Sequence, residues 1–206
     1  MTQSKRPRRI VAAIALLPAA LLIGCGDENP GPQVDPVVEK LDAGWALFSA
    51  GDYTGAIIEF DEAVAMNGGI GDGHNGRGWS YLRLDSLETA LDAFNMAVAK
   101  GFVGADAQAG RCVILNRFDE YRQCVFAGQA VLAIDSRFEL EADITVDVRD
   151  VRLSMAQSYF ALGEYLEALD QIEAVDSAIL LNPNSATFVL ELIRAIENLT
   201  EALSVF

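Results

Sequence analysis

The sequence predicts an all-α fold, a solenoid of about four helix hairpins closed by a C-terminal helix. The first observation is an internal repeat, because residues 44–65 and 78–99 lie 34 positions apart and share seven of their 22 residues. The second is the helical spacing of apolar residues within a unit, as in Ala56, Phe60 and Ala63. A repeat of this length, built from helices, is typical of solenoids in which each unit packs on its neighbours.

When the chain is written in rows of 34 residues, equivalent positions keep the same type of residue. Ten extra residues precede the last unit, and the same alignment resumes after them. Two columns stay small, and a third is aromatic in the first two units. The columns are Gly44, Gly78, Cys112 and Ala156; Ala56, Ala90, Cys124 and Ala168; and Phe60, Phe94, Gly128 and Ile172. Since antiparallel helices approach closely only where side chains are small, each unit is predicted to be helix, tight turn, helix.

The units resemble tetratricopeptide repeats, whose pattern runs W-x2-L-G-x2-Y and then A-x3-F. The first and fourth units carry most of the matching residues, which are Gly44, Leu47, Tyr53, Ala56, Phe60 and Ala63, and Tyr159, Gly163, Tyr165 and Ala168. The second unit lacks the turn glycine, and the third is degenerate. The resemblance implies a right-handed α-solenoid with repeats at residues 37–70, 71–104, 105–136 and 148–176.

Two further segments complete the folded part. Residues 137–147 form an insertion with four acidic residues and several β-branched ones, which indicates an ordered loop with an extended piece. Residues 183–206 are predicted to form a capping helix, with Ser185 as its N-cap. Its apolar stripe would cover the open end of the last repeat.

The N-terminal residues 1–24 read as a secretory signal, with a basic start and an apolar run too short to span a membrane. The ending LLIGC resembles the lipobox of bacterial lipoproteins, which implies cleavage before Cys25 and lipidation of its sulfur. An ordinary signal followed by a stray cysteine is the alternative. Residues 25–36 are rich in proline and glycine and are predicted to be a flexible tether. Gly26, where an aspartate would favour inner-membrane retention, favours the outer membrane.

The charge balance excludes several classes of partner. Without the four basic residues of the leader, the chain carries 11 Lys and Arg against 30 Asp and Glu, a formal charge of −19. Such an acidic surface argues against nucleic acid and against electrostatic docking on anionic lipid. It permits a basic partner.

No motif points to a cofactor, a metal or catalysis. The stretch GDGHNG, residues 71–76, has dinucleotide-binding spacing but follows a helix instead of a strand, so we interpret it as a flexible inter-repeat loop that starts a helix, and we expect no nucleotide. His74 is the only histidine and is predicted to be exposed, without ligand-type neighbours at metal spacing. No nucleophile stands beside a plausible base, so the sequence predicts a protein that is not an enzyme.

The tryptophan column suggests where a partner would bind. In the family that these units resemble, the position of Trp45 and Trp79 lies on the concave face, which receives an extended or helical peptide. The predicted partner groove consists of Trp45, Phe48, Trp79, Leu82, Arg83 and Arg117. The alternative is that the insertion or the C-terminal helix fills the concave face and buries both tryptophans.

The third unit has Cys112 and Cys124 where small residues are usual. In the family, these two columns face each other where the helices approach most closely, so the resemblance implies that the cysteines form a disulfide. The export signal predicts an oxidising compartment, and Cys25 is taken by lipid, which leaves one pair. The alternative is two buried thiols that fill small-residue sites.

Together these features predict a lipid-anchored scaffold or adaptor of the bacterial envelope that faces the periplasm and binds a protein or peptide. By the same resemblance, such a lipoprotein assists outer-membrane protein insertion or pilus assembly. A structural envelope component without a groove ligand is the alternative.

Overall fold

The computed structural model describes residues 34–203, and within them the chain forms nine α-helices. They are α1 (Pro36–Ser49), α2 (Tyr53–Met66), α3 (Gly71–Arg83), α4 (Leu87–Ala99), α5 (Ala105–Arg117), α6 (Tyr121–Ile134), α7 (Val148–Leu162), α8 (Tyr165–Val175) and α9 (Phe188–Leu203). Helices α1 to α8 pair successively as four hairpins, and the first helices of neighbouring hairpins contact each other. This confirms the predicted all-α solenoid. The predicted leader, Cys25 and the tether as far as residue 33 lie outside the described residues.

Each hairpin turns at a residue with a left-handed backbone, and the four residues occupy the same position of the repeat. Gly51 and Gly163 have φ angles of 82° and 79°, while Asp85 and Asp119 have 55° and 59°. Glycine adopts this conformation without a Cβ penalty, and aspartate is among the few other residues that tolerate it. The missing turn glycine of the second and third repeats therefore leaves the turn in place.

Some of the many acidic residues cap the N-termini of helices. The carboxylate of Asp35 accepts a hydrogen bond from the backbone N–H of Val37 at 2.9 Å, and Asp52 caps α2 in the same way. Asp147 and Asp150 form a reciprocal capping box at the start of α7. A side-chain oxygen at these positions satisfies backbone donors that the helix itself leaves unpaired.

A buried phenylalanine and two glycines set the spacing of the first two hairpins. Phe60 is fully buried, and its ring lies between Gly44 of α1 and Gly76 of α3. A Cβ added at either glycine would come within 2.6 Å or less of that ring. Phe94 repeats the arrangement one unit later, between Gly78 and Gly110. The small column thus makes room for the ring of the aromatic column.

The third hairpin fills the same space differently. Gly128 stands where the preceding units have phenylalanine, and an added Cβ would lie 2.4 Å from the sulfur of Met155 in α7. The Sγ atom of Cys112 borders the same site, since it lies 3.2 Å from that Cβ position. The third unit therefore has no large ring at Gly128, and it has cysteines, Cys112 and Cys124, in the two columns where the first two units have glycine and alanine.

The insertion, residues 137–147, folds onto the inner face formed by the first helices of the hairpins. It closes on itself through one antiparallel bridge between Glu139 and Asp147. Its Phe138, Leu140 and Val146 are at most 2% exposed and belong to the main core. Polar contacts join it to distant parts of the solenoid. Among them are a hydrogen bond from Ser49 to the carbonyl of Ala142 at 3.1 Å and an ion pair between Arg83 and Asp143.

Helix α9 packs against α7 and α8 at the end of the array. Phe188, Leu192 and Ile196 are its buried residues, and the amide of Gln157 donates to the hydroxyl of Thr200 at 2.9 Å. The helix begins at Phe188, later than a Ser185 N-cap would place it. The hydroxyl of Ser185 instead accepts from the backbone N–H of Thr187 in the preceding turn.

Candidate functional site

A pocket of about 730 Å³ opens on the inner face, between the first two hairpins, the start of α5 and the insertion. Helix α1 supplies four of its lining residues and the insertion another four. The lining residues are Asp42, Trp45, Ala46, Ser49, Asp72, Phe102, Asp106, Glu139, Leu140, Glu141 and Ala142. The volume lies within the range of small-ligand and side-chain pockets in proteins.

The pocket is strongly acidic, since five of its lining residues are carboxylic acids and none is basic. Burial raises the pKa of Asp72, as does repulsion from Asp42, while the indole N–H of Trp45 donates to Asp72 at 3.3 Å and opposes the shift. Burial raises the pKa of Asp106 as well, and the charges of Asp72 and Glu141 add to that effect. Carboxylates from three helices and the insertion therefore repel one another across one cavity.

Trp45 forms one aromatic wall of this pocket. Its ring packs edge-on against Phe60, with centroids 5.1 Å apart, and against Phe48 at 5.6 Å. These contacts hold the indole, which stays half-buried, while Asp72 fixes its N–H. Half-buried Phe102 supplies a second ring to the lining. An aromatic face surrounded by carboxylates is a suitable environment for an organic cation.

A buried amide lies beside Asp106, one of the residues that line the pocket. Asn75 of α3 is fully buried, and neither its Nδ2 nor its Oδ1 atom has a hydrogen-bond partner among the described residues. The amide is close enough to Asp106 to favour the charged form of that carboxylate, though without a hydrogen bond of good geometry. Unsatisfied buried amides are uncommon in folded proteins and call for an explanation.

Three of the predicted groove residues lie in the core and cannot contact a partner. Trp79, Phe48 and Leu82 are exposed by 0%, 2% and 4%, respectively. The insertion covers the inner face, and its apolar residues join the same core cluster. Because Trp79 is buried, the predicted open groove across both tryptophans is wrong at Trp79. The alternative holds only in part, since it had both tryptophans buried, whereas Trp45 stays half-buried and lines the pocket beside the insertion.

The predicted basic rim is also absent from the pocket. Arg83 pairs with Asp143 of the insertion and donates to the hydroxyl of Thr145 at 3.3 Å. Arg117 is exposed and pairs with Asp85 at 3.5 Å, at the turn of the second hairpin. One arginine thus holds the insertion down, and neither lines the cavity.

Cys112 and Cys124 meet inside the third hairpin, as the resemblance implied. Both side chains are fully buried thiols, and their Sγ atoms lie 3.0 Å apart. Burial raises the pKa of the Cys112 thiol, with the neighbouring Cys124 adding to the effect. The geometry brings the pair together, and the disulfide itself stays a prediction.

The glycine-rich stretch at residues 71–76 is helical from Gly71 onward, so a helix does start here, but the stretch itself is not the loop that was predicted. Its glycines serve packing: a Cβ at Gly71 would lie 2.8 Å from Cβ of Phe102, and Gly76 lies against the ring of Phe60. His74, expected to be exposed, is only 6% exposed. Burial, together with the charge of Arg77, lowers the pKa of His74, which favours its neutral form.

Sequence reasoning missed the carboxylates of the pocket, although a signal for two of them is present. Asp72 and Asp106 stand 34 positions apart, in one column of the repeat. Equivalent positions of successive solenoid units line the same face, so this column predicts two carboxylates side by side. Nothing in the spacing indicates that Glu139 and Glu141 of the insertion would join them.

Residues 34–203 contain neither a cluster of metal-ligand side chains nor a membrane-spanning helix. No group of three or more His, Cys, Asp or Glu side chains in this range is placed to hold a metal ion. Likewise, no helix in this range has the length and apolar character needed to cross a membrane.

Comparison with known proteins agrees with the repeat pattern. The sequence model of a tetratricopeptide repeat family matches residues 41–108, and no curated protein sequence matches the chain. Among solved structures, YrrB, described as a tetratricopeptide repeat protein with an unusual peptide-binding site, is 15% identical. The match covers 82% of this chain and 90% of YrrB, with a TM-score of 0.62.

Structures of MamA are also similar. One is 17% identical over 80% of this chain and 81% of MamA, with a TM-score of 0.55. Another, from Desulfovibrio magneticus RS-1, is 17% identical over 69% and 75% of the two chains, also at 0.55. At these identities the likeness establishes the fold, and the family match to residues 41–108 supplies the sequence evidence. Residues 41–108 therefore match tetratricopeptide repeats in sequence, and the described chain has the fold of tetratricopeptide repeat proteins.

Proposed function

We propose that this chain is a lipid-anchored scaffold of the bacterial cell envelope that holds a protein partner near the membrane and carries out no catalysis. The tetratricopeptide repeat fold is a scaffold for protein–protein interaction, and proteins of this kind bind protein or peptide partners. The single observation that carries the proposal is the inner-face pocket beside Trp45, which the insertion leaves unfilled.

The anchor is supported by the leader sequence. LLIGC follows a basic start and an apolar run, and the tether that begins at Cys25 would let the solenoid reach a partner away from the lipid surface. Several acyl chains on one cysteine would hold the protein stably, since each buried methylene contributes about 0.8 kcal/mol. Tethering would raise the effective concentration of the scaffold for partners in the same compartment.

Cell fractionation tests the anchor. The wild-type chain is expected in the membrane fraction, and Cys25→Ser is expected to abolish lipid labelling and release the chain or leave its leader uncleaved. A wild-type chain found free of membranes, without attached lipid, would contradict this part of the proposal.

Site-specific photo-crosslinking in cells tests the scaffold. A benzoylphenylalanine at Ala46, an exposed residue of the pocket lining, is expected to give a discrete adduct with a protein partner. The matched control is the same probe at Thr89, an exposed residue of α4 that does not line the pocket. Adducts that are equal at both positions, or absent from Ala46 under all growth conditions, would contradict binding at the inner face.

A structural envelope component without a ligand is the second candidate. The observation that favours it is the insertion, which already buries Phe138, Leu140 and Val146 on the inner face and is held by the Arg83–Asp143 ion pair. Under this function, removal of the aromatic wall of the pocket by Trp45→Ala would leave the cellular phenotype and the crosslinking pattern unchanged. A role in outer-membrane protein or pilus assembly would be a special case of the scaffold, identified by the partner that Ala46 captures.

A further inference from the structure

We infer that the acidic pocket binds a basic side chain, an arginine or lysine presented by an extended segment of the partner protein. This inference deepens the proposed scaffold function and rests on it, since it names the chemistry of what the inner face holds. The five carboxylates, the aromatic wall and the buried amide are the three independent features that lead to it.

The carboxylates converge without an internal counterion. Asp42 raises the pKa of Asp72, Asp72 raises that of Asp106, and Glu141 acts on Asp106 as well, so four of the five acids sense each other. None of the lining residues is basic, and the nearby Arg83 pairs with Asp143. Like charges held together in a partly buried site disfavour the unliganded fold, and a bound cation would relieve that repulsion.

The arrangement of these carboxylates fits an organic cation better than a metal ion. Among residues 34–203, no three acidic side chains approach closely enough to coordinate one metal ion. They are spread around a cavity of about 730 Å³, which has room for a guanidinium or ammonium group and the stem that carries it. A planar, weakly hydrated guanidinium pairs with several separated carboxylates and stacks on an aromatic ring.

The aromatic wall provides the second feature. Trp45 is held in place by Phe60, Phe48 and its hydrogen bond to Asp72, so its ring is positioned before a ligand arrives. Cations are attracted to the face of an indole within about 6 Å of its centroid. The apolar stem of an arginine or lysine would also find contacts with Ala46 and Phe102 in the lining.

The buried amide of Asn75 is the third feature. It is fully buried without a hydrogen-bond partner and lies against Asp106, a residue of the pocket. A cation that engages Asp106 would draw that carboxylate and the amide into one hydrogen-bonded set. The unsatisfied amide is thus explained as part of a site that is completed by its ligand.

A partner segment is favoured over a small free cation because the pocket is open and has apolar surface beside it. The neighbour of Phe102, Val103, is 83% exposed, and Ile144 of the insertion is 71% exposed. Such residues would supply contacts for the apolar side chains that flank a basic residue in a partner segment, and a free polyamine has no such side chains. Spermidine is therefore the comparison ligand in the test.

The test uses the full chain purified in mild detergent and fluorescein-labelled glycine–serine octapeptides that carry two arginines. Fluorescence anisotropy is expected to show saturable binding, with quenching of tryptophan emission from Trp45. Peptides with citrulline in place of arginine keep the shape and lose the charge, so their affinity is expected to fall about tenfold or more. Equal binding of the citrulline peptide would overturn the inference, as would spermidine binding that is tighter than that of the arginine peptide.

The variant pair Asp72→Asn with Asp106→Asn locates the site. It is expected to weaken the arginine peptide about tenfold. The matched control, Asp92→Asn with Asp170→Asn, removes the same charge from exposed positions of α4 and α8 and is expected to change affinity less than about twofold at physiological salt. Equal losses in the two pairs would mean attraction to the overall charge and would refute a pocket.

Failure of this inference can be distinguished from failure of the scaffold function. An adduct at Ala46 in cells, with no preference for arginine peptides, would retain the scaffold and reject the basic ligand. Absence of the adduct together with specific peptide binding would reject the envelope partner and retain the pocket chemistry.

Discussion

Replacement of Gly76 by alanine tests whether the phenylalanine column dictates the glycine columns. A Cβ at position 76 would lie 2.3 Å from Cζ of Phe60, well inside van der Waals contact. The ring cannot retreat, because on its other side it lies against Gly44, where an added Cβ would be only 2.6 Å from the ring. The variant therefore forces either a displaced ring or a wider gap between α1 and α3.

Two terms of opposite sign determine the magnitude. Alanine is favoured over glycine in a helix interior by about 1 kcal/mol. Overpacking of a well-packed core costs about 1–3 kcal/mol, and the contacts at Gly76 are short enough to place this site at the upper end. Gly76→Ala is therefore expected to lower the free energy of unfolding by about 1–2 kcal/mol, even though α3 gains helix propensity.

Urea denaturation followed by far-ultraviolet circular dichroism measures the effect. Because repeat arrays can unfold in steps, transition midpoints and slopes are compared between variants before any free energy is extracted. The control is the same substitution in a Phe60→Leu background, where the smaller side chain removes the clash and leaves the propensity gain. Gly76→Ala is expected to be neutral or stabilising there. A Gly76→Ala chain as stable as wild type, or equally destabilised in both backgrounds, would refute the reasoning.

Three further predictions follow from the turns, the cysteines and the pocket. Asp85→Gly and Asp119→Gly are each expected to stabilise the chain by up to about 1 kcal/mol in thermal melts, because glycine removes the left-handed strain; lower stability would contradict this. Cys112 and Cys124 are expected to be oxidised in protein purified from the envelope without reductant, with a contribution of about 2–3 kcal/mol; two reactive thiols per denatured chain would contradict it. Asp72→Asn is expected to raise the melting temperature at pH 7. Because burial raises the pKa of Asp72 in the folded chain, its charged form destabilises the fold at pH 7, and this penalty disappears as the carboxylate is protonated at lower pH. The increase in melting temperature should therefore vanish below about pH 4, where Asp72 is protonated in the folded and the unfolded chain alike. An increase that persists below about pH 4 would show that the charge of Asp72 is not what destabilises the fold.

The stability of Asp72→Asn also serves as a control for the peptide-binding test. If Asp72→Asn stabilises the chain while it weakens peptide binding, the lost affinity cannot result from unfolding. Such an opposition between stability and binding is expected where charged residues are kept together for a ligand.

The repeat period, together with the helical spacing of apolar residues within each unit, was enough to predict the helices, their pairing and the small columns. A period of 34 residues with helical spacing specifies contacts between near neighbours in sequence, such as those between Gly44, Phe60 and Gly76. Such contacts depend on the size of a few side chains, which can be read directly from the letters. The meeting of Cys112 and Cys124 within one hairpin was implied by the resemblance to tetratricopeptide repeats, in which these two columns face each other.

The tertiary structure decided which of two equivalent tryptophans is accessible. Trp45 and Trp79 hold the same position in their repeats, yet Trp79 is fully buried while Trp45 stays half-buried and lines the acidic pocket. Helix α3 has hairpin neighbours on both sides, whereas within the described residues α1 has them on one side only. The insertion then folds back across 60 to 93 positions of sequence, from Asp143 to Arg83 and from Ala142 to Ser49. Burial of its apolar residues drives that return, and no local pattern specifies where the accompanying carboxylates come to lie.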